Sequence, residues 1–422
     1  MSKIKWAPIF PLIGGFPIAA ELATGELPEY ILSYDVAGGN DAYYNRYMNE
    51  TRDLNIPFLR VDDETFDFSS IAKLDIGVAT PFCSGLSMLN SSSNRGSDAD
   101  VNKWIYESTE FLMKHAEAKV IIGENAPGMY SDMGIGMRTN LEAMADKYGY
   151  AVSYLKTSTF KHGIPQKRDR TFYFFWKGAE APIFEYVNRP MPGYSEYMSK
   201  FKGELSESEL DEKFKVISDN VLYEYFKVNG FSYTDMQQLH SKTLLNNFLN
   251  MDIFGTSKIE RINNFITWLY EHGANDENLK LPKHKRTKYE NALREAKHWY
   301  EKYSTGLGVW DSSLLIPHKN GYTNALISKS TFTLMHPDYE RTLTKREKAH
   351  LMGLPADFIV DDMQDNVMNQ NVPVPTAADM VSFAMEFLKG NTQMSGSKVL
   401  MQNNISQTID YRKDNMNQTK LF

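Results

Sequence analysis

Three short stretches hold side chains that could act together on one substrate. "TPFCSGLS", Thr80 to Ser87, contains Cys83, the single cysteine of the chain. "GENAPG" supplies Glu124 and Asn125, and "GIPQKRDRTFYFF" supplies Arg168 and Arg170. Taken singly, each has a plain reading. A lone cysteine is usually a small buried hydrophobe, and an acid beside an arginine is usually a solvated surface pair. Taken together, they form a chemical set. A thiol can add to an electron-poor ring, a carboxylic acid can protonate or hydrogen-bond a ring nitrogen, and a guanidinium can hold an exocyclic oxygen.

That set works only if the fold brings the three stretches to one place. "EYILSYD", "LDIGVAT", "KVIIGEN", "YAVSYL" and "RTFYFFW" read as strands, rich in β-branched and aromatic residues. "VNKWIYESTEFLMKHAEA" and "MRTNLEAMADKYG" between them read as helices. The alternation predicts an α/β fold: a Rossmann-like, mostly parallel sheet with helices on both faces. Such sheets bind ligands beyond the carboxyl ends of their strands, where Cys83 and Glu124 fall. Residues 1–176 are expected to form this catalytic and cofactor-binding domain. Residues 177–363 lose the alternation and are richer in charge and aromatics, which predicts a smaller, irregular second domain. Within that span "RTLTKREKAHLMGLPADF" reads as a helix capped by Thr344 with Glu347 three residues on, and ended by Gly353. Residues 364–392 return to complete the first domain, and the Asn- and Gln-rich 393–422 are expected to be a flexible tail.

Composition sets outer bounds. The chain has 422 residues, 42% hydrophobic and 13% aromatic, as in a folded protein with a sizeable core. No stretch reads as a membrane span or a secretion signal. One cysteine forms no internal disulfide and leaves no cysteine-rich metal site, so a cytoplasmic setting, no metal and a monomer are expected. A net charge of −7 argues against a surface that is basic throughout, though not against one basic groove.

Cytosine is a ring that needs the set named above. Its carbon 5 is a poor nucleophile until a thiolate adds at carbon 6. Protonation at ring nitrogen 3 then leaves an enamine-like adduct whose carbon 5 can attack an electrophile. The chain resembles the DNA (cytosine-5) methyltransferase family, and seven strings carry the resemblance in the family's order. "FPLIGGF" resembles the cofactor loop F-x-G-x-G-G, "TPFCSGLS" the nucleophile loop, and "NRG" the Arg-Gly of the mobile catalytic loop. "GENAPG" resembles the Glu-Asn-Val block, and "GIPQKRDR" matches the Gln-x-Arg-x-Arg block. "RTLTKREKAHLMGLPADF" matches the block R-x-L-T-x-R-E-x-A-R-L-x-G-F-P-x-x-F at most positions, and "NQNVPVPTAADM" resembles the closing G-N-A-V-P-x-P.

The resemblance implies Cys83 as nucleophile and Glu124 as the acid at ring nitrogen 3. Asn125 shapes the nucleophile loop, Arg170 contacts the cytosine oxygen, and Arg168 supports the pocket. The implied donor is S-adenosylmethionine. Its site is expected at Phe10, Gly14, Gly15, Pro81 and Asn371, with Asp35 on the ribose hydroxyls and Asp62, or its neighbour Asp63, on the adenine amino group. The implied partner is duplex DNA, from which the base is flipped into the pocket. Arg95 in the loop from about Ser84 to Asp100, and Lys283, Lys285, Arg286 and Lys288 in the second domain, are candidate phosphate contacts. The second domain then serves as the target recognition region. A phage or a restriction–modification system is an expected source. Methylation of transfer RNA by a family relative, or a catalytically silent DNA-binding relative, are the alternatives. The chain departs from the family pattern mainly near the donor. Leu12 stands at the first loop glycine, the aspartate expected before Phe10 is absent, and Ser33 replaces an acid two residues before Asp35. Phe82 precedes the cysteine, Ser84 follows it, and Asn369 and Gln370 replace Gly-Asn.

Overall fold

A computed structural model describes residues 3–37, 39–87, 95–237, 242–250, 255–309, 314–326 and 333–411. Nine strands form the main sheet: β1 (Trp6–Ile9), β2 (Ile31–Ser33), β3 (Phe58–Arg60), β4 (Ile76–Ala79), β5 (Val120–Asn125), β6 (Tyr150–Ser158), β7 (Asp169–Lys177), β8 (Val399–Asn403) and β9 (Thr408–Tyr411). Their spatial order is β9-β8-β6-β7-β5-β4-β1-β2-β3. β3, β2, β1, β4 and β5 run parallel, and β8 is parallel to β6. β7 is antiparallel to β5 and to β6, and β9 is antiparallel to β8. The sheet is therefore mostly parallel, and its order reverses between β1 and β4.

β7 shows why both faces need helices. Its "TFYFFW" is buried from end to end. Phe172, Phe174 and Trp176 point to one side, where Phe172 meets Phe16 of the helix Gly15–Thr24 and Trp176 meets Phe387 of the helix Val374–Leu388. Tyr173 and Phe175 point to the other side, into a core with Leu112 of the helix Lys103–Lys114 and with Met137 and Leu141 of the helix Ile135–Tyr148. A strand apolar at every position is the sequence mark of a doubly covered sheet.

The chain divides into two compact units, one comprising Met1–Met191, Ala325–Ser328 and Ala349–Phe422, the other Pro192–Asn324 and Lys329–Lys348. The divisions fall past Trp176 and ahead of residue 364 because the flanking segments are tied to the first unit. Phe184 N–H donates to Gln402 at 2.8 Å, and Arg189 pairs with Asp379. Tyr47 packs on Phe358, and Arg46 pairs with Asp362 at 2.6 Å. The tail also differs from expectation. Residues 399–411 form β8 and β9, whose Leu400 and Met401 are buried. Gln402 accepts from Phe184 N–H and donates to Phe184 C=O, and Asn404 donates to Val187 C=O. Polar composition signalled solvation, but here amide side chains satisfy backbone groups inside the fold. The flexible reading of 412–422 lies outside the described residues.

The second unit is helical rather than irregular. Helices Glu207–Ser218, Val221–Val228, Lys258–Glu271 and Lys288–Ser304 enclose Phe226, Phe248, Phe265, Leu269, Leu293 and Trp299. Short helices with aromatic cores leave too few turns for a clear period. Thr344 caps its helix as the sequence predicts: Glu347 N–H donates to Thr344 Oγ1 at 3.2 Å, and Thr344 N–H donates to Glu347 Oε2 at 2.9 Å.

Candidate active site

Strand order and register assemble the residues expected to handle the base. β4 and β5 are parallel neighbours, Ala79 pairing with Gly123, so the segment after β4 and the end of β5 lie side by side. Cys83 sits four residues past β4, and Glu124 occupies the last turn of the β5 pleat. β7 runs the other way, with Thr171 paired to Asn125, so its first residues reach the carboxyl end of β5. An antiparallel strand is thus what delivers Arg170 and Arg168 to the ligand edge.

Glu124 is buried, and its Oε1 lies 2.6 Å from Arg170 Nε. Burial raises the Glu124 carboxyl above its usual range, while Arg170 and then Arg168 oppose the shift. Burial also raises the Cys83 thiol, and Glu124 adds to this; Arg170 and Arg168 pull it down. The two arginines therefore act on both the carboxyl and the thiol. Cys83 is partly accessible at the edge of the core. Arg168 is buried, donating from Nη1 to Leu326 C=O at 2.5 Å and from Nη2 to Asn371 C=O at 3.1 Å. Asn125 is fully buried; its Oδ1 accepts from Ala126 N–H at 2.9 Å, and its Nδ2 has no partner among the described residues. Cys83, Glu124, Arg168 and Arg170 are thus gathered at one sheet edge, with Asn125 packed beneath.

The donor-side residues form two groups. Asp35 and Asp62 follow β2 and β3 and are linked, Asp35 N–H donating to Asp62 Oδ2 at 2.6 Å. Arg60 lies between them, 2.6 Å from Asp35 and 3.6 Å from Asp62. Asp63 instead accepts from Thr65 N–H and Oγ1. The other group lies around the β1 loop. Gly15 N–H donates to Asn371 Oδ1 at 2.9 Å, and Asn371 C=O accepts from Arg168, so Asn371 joins the donor loop to the base-handling side. Thr80 Oγ1 donates to Phe10 C=O, joining the same loop to the nucleophile turn beside buried Pro81.

Phe10 and the loop glycines also have close protein neighbours. Phe10 is fully buried and stacks on Tyr34 at 4.7 Å, with Trp104 edge-on at 5.9 Å. One ring face is therefore held by protein. The glycines also answer to protein packing. A Cβ on Gly15 would come within 2.1 Å of Val372 C=O, and Gly14 adopts φ +111° with Tyr44 2.6 Å from the place of a Cβ. Gly15→Ala should therefore separate the return segment from the loop, lowering stability by more than about 2 kcal/mol as read by denaturant midpoint.

Asp41 is an acid that the sequence reading missed. It is buried, accepts from Leu12 N–H at 2.8 Å, and receives Ser33 Oγ at 2.6 Å. Burial raises its carboxyl to about 7 against the pull of those hydrogen bonds and of Arg60. The native state then keeps a proton that the unfolded chain gives up near its ordinary 3.8. This group's contribution to stability accordingly falls as pH rises from about 4 to about 7 and is level above that. Asp41→Asn should remove that part of the slope, seen as a flatter Tm profile between pH 5 and 8 than in the unsubstituted protein. No sequence pattern marks such an acid, since "GGNDAYY" reads as a polar loop. A second missed cluster ties the base-handling segment down: His162 Nδ1 meets Asp379 at 2.7 Å and Nε2 meets Thr157 Oγ1 at 2.7 Å.

Arg95 is exposed; Asn94 lies outside the described residues. The loop's base is closed by Gly96 N–H donating to Gly85 C=O and by Asn102 Nδ2 donating to Gly96 and Ser97. Lys283 and Lys285 are exposed and Arg286 half-buried in the second unit, while Lys288 is paired with Glu224 at 2.9 Å. Among the described residues, no helix is long and apolar enough to cross a membrane and no cluster of acidic, His or Cys side chains is placed to hold a metal.

No curated protein matches the sequence. Among solved structures the chain is similar to the Entamoeba histolytica methyltransferase EhMeth, at 12% identity and TM-score 0.49 over 92% of this chain and 99% of that one. It is similar at 15% identity and TM-score 0.48, with the same coverages, to a protein described as a candidate DNA modification methyltransferase encoded within an E. coli prophage. It is also similar to the S. pombe Dnmt2 methyltransferase, at 13% identity and TM-score 0.42 over 91% and 99% of the two chains. The assignment rests on the sequence model of one family, C-5 cytosine-specific DNA methylase, which matches residues 9–381 from the β1 loop to the return helix, and the chain belongs to that family.

Proposed function

We propose that the protein methylates carbon 5 of cytosine in duplex DNA at a specific sequence, acting on a base swung out of the helix, with S-adenosylmethionine as donor. The observation that carries this reading is the convergence of Cys83, Glu124 and Arg170 at the carboxyl edge of the sheet. Base extrusion is required because neither carbon 6 nor ring nitrogen 3 is within reach of such a pocket inside a stacked duplex.

The residues present fit the donor at its adenosine end. Asp35 and Asp62 stand on adjacent strand ends as acceptors for ribose hydroxyls and an amino group. The bound donor supplies an electrophilic methyl group. The chain's own groups do the rest. Cys83 Sγ, as thiolate, forms a bond to carbon 6. Glu124 gives its proton to ring nitrogen 3, so the electrons of the opened double bond are held as an enamine. Arg170 holds the exocyclic oxygen, and Arg168 keeps the pocket wall in place through Leu326 and Asn371. Carbon 5 takes the methyl group. Loss of its proton to a base re-forms the ring double bond, expels the thiolate, and returns the nitrogen 3 proton to Glu124.

The test is a covalent trap. A pool of random duplexes containing 5-fluorocytosine, with the donor, should yield a denaturant-stable complex, because fluorine at carbon 5 blocks the last elimination. Parallel pools of transfer RNA and single-stranded DNA should yield less. A complex formed with transfer RNA and not with duplex would replace the substrate named here. Absence of any complex would leave a silent relative.

A further inference from the structure

Leu12, Ser33 and the missing acid before Phe10 are separate departures from the family pattern, and one side chain joins the first two. Leu12 has φ +52°, in the left-handed region that a residue with a side chain adopts only under strain. Such strain persists only where neighbours hold it. Leu12 N–H donates to Asp41 Oδ1 at 2.8 Å, and Ser33 Oγ donates to Asp41 Oδ2 at 2.6 Å. All three residues are buried. Asp41 also stands at the N-cap of the helix Ala42–Arg46, where an aspartate usually bonds to its own helix, yet it makes no side-chain cap bond. Its carboxyl group is turned to the loop instead. One carboxyl oxygen of Asp41 thus holds the loop backbone and the other is held by Ser33 of β2, at the cost of burying an acid.

We propose that Asp41 is a positioning residue for the methyl donor: its carboxyl group holds Leu12 in the backbone conformation for which the family's loop uses glycine, and so fixes the loop that receives the donor. Ser33 orients that carboxyl, which accounts for a hydroxyl where the family has an acid. The inference rests on the donor reading given under Proposed function.

The test is equilibrium binding of S-adenosylmethionine to the full-length chain by calorimetry, beside two donor-independent measurements. These are hydrogen exchange of the Leu12 segment, and Cys83-dependent exchange of the cytosine carbon 5 hydrogen in duplex DNA without donor. Asp41→Ala is expected to weaken donor binding about tenfold and to raise exchange at Leu12, while carbon 5 exchange persists because the base-handling groups are untouched. Asp41→Asn keeps an acceptor for Leu12 N–H and should bind donor within about threefold of the unsubstituted protein. Adding Leu12→Gly to Asp41→Ala should restore donor binding, because glycine adopts the left-handed conformation without a clamp. Unchanged donor binding in Asp41→Ala, or failure of Leu12→Gly to restore it in a folded double variant, overturns the inference. If Asp41→Ala does not fold, Ser33→Ala serves: donor binding weakened two- to threefold supports the inference, and no change overturns it. An unsubstituted protein that binds no donor sinks the donor reading itself and this inference with it. One that binds normally and is indifferent to Asp41 sinks the inference alone.

Discussion

Cys83→Ala abolishes turnover, by at least about 10⁴-fold, and leaves duplex binding within a few-fold of the unsubstituted protein. The size of the expected loss follows from what the thiol does. Without addition at carbon 6, carbon 5 has no electron pair to offer, and Cys83 is the single thiol of the chain. In the proposed mechanism Glu124 and the two arginines stabilise charge; they do not form the bond that creates the nucleophile. Removal of Sγ should cost little stability, since Cys83 is only partly buried and alanine leaves a small gap at an accessible edge. The measurement is single-turnover transfer of labelled methyl groups to a duplex pool, with binding followed separately by filter retention. Turnover within tenfold of the unsubstituted protein would remove Cys83 from the mechanism. Cys83→Ser is a sharper form of the same test, because the hydroxyl keeps the volume but ionises far less readily than a thiol.

Much of this arrangement is legible in the sequence, and the legible parts share a cause. Strands β2, β4, β5, β6 and β7 announce themselves because local composition and burial coincide: "KVIIGEN" and "RTFYFFW" have no polar face to hide. The gathering of Cys83, Glu124 and Arg170 follows once the strands are placed, since strand ends converge by topology. The Thr344–Glu347 cap is local and is read directly. β1, with only "WAPI", is too short for a period, and β8 and β9 lie in a stretch whose Asn and Gln suggest solvent. Gln402 and Asn404 bond to partners more than two hundred positions away, which no window along the chain can see. The donor loop is the instructive case. Its glycines suggest close approach of a ligand, and the structure adds a second reason for them, since a Cβ there would meet Val372 and Tyr44; Asp41 supports Leu12 from a loop with no pattern at all. Long-range polar pairing and backbone approach are tertiary facts, and departures from a family pattern become intelligible only when they are seen to meet.

Glu124→Gln lowers turnover about 10²- to 10³-fold, the range that one positioned proton donor contributes, while duplex affinity changes little. The amide keeps the volume and can still offer an N–H to ring nitrogen 3, but it cannot hand over a proton. The pH profile separates this role from a structural one. In the proposed mechanism the active form has Glu124 protonated and Cys83 ionised. Burial raises both groups. For Glu124 this extends the protonated form to higher pH, and for Cys83 it delays the thiolate to higher pH. The active form is therefore limited by the thiol on the acid side and by the carboxyl on the alkaline side, and kcat/KM should rise and then fall, the two limbs belonging to the pair. With glutamine in place of the acid only the thiol titrates. The profile of Glu124→Gln should then rise to a plateau and lose its alkaline limb. Arg170 sharpens the expectation, because its Nε lies 2.6 Å from Glu124 and favours the carboxylate. Arg170→Ala should therefore move the alkaline limb to higher pH even as it lowers the maximum. An alkaline limb that survives in Glu124→Gln would show that another group donates the proton, and the carboxyl at the end of β5 would then be a partner for Arg170 and no more.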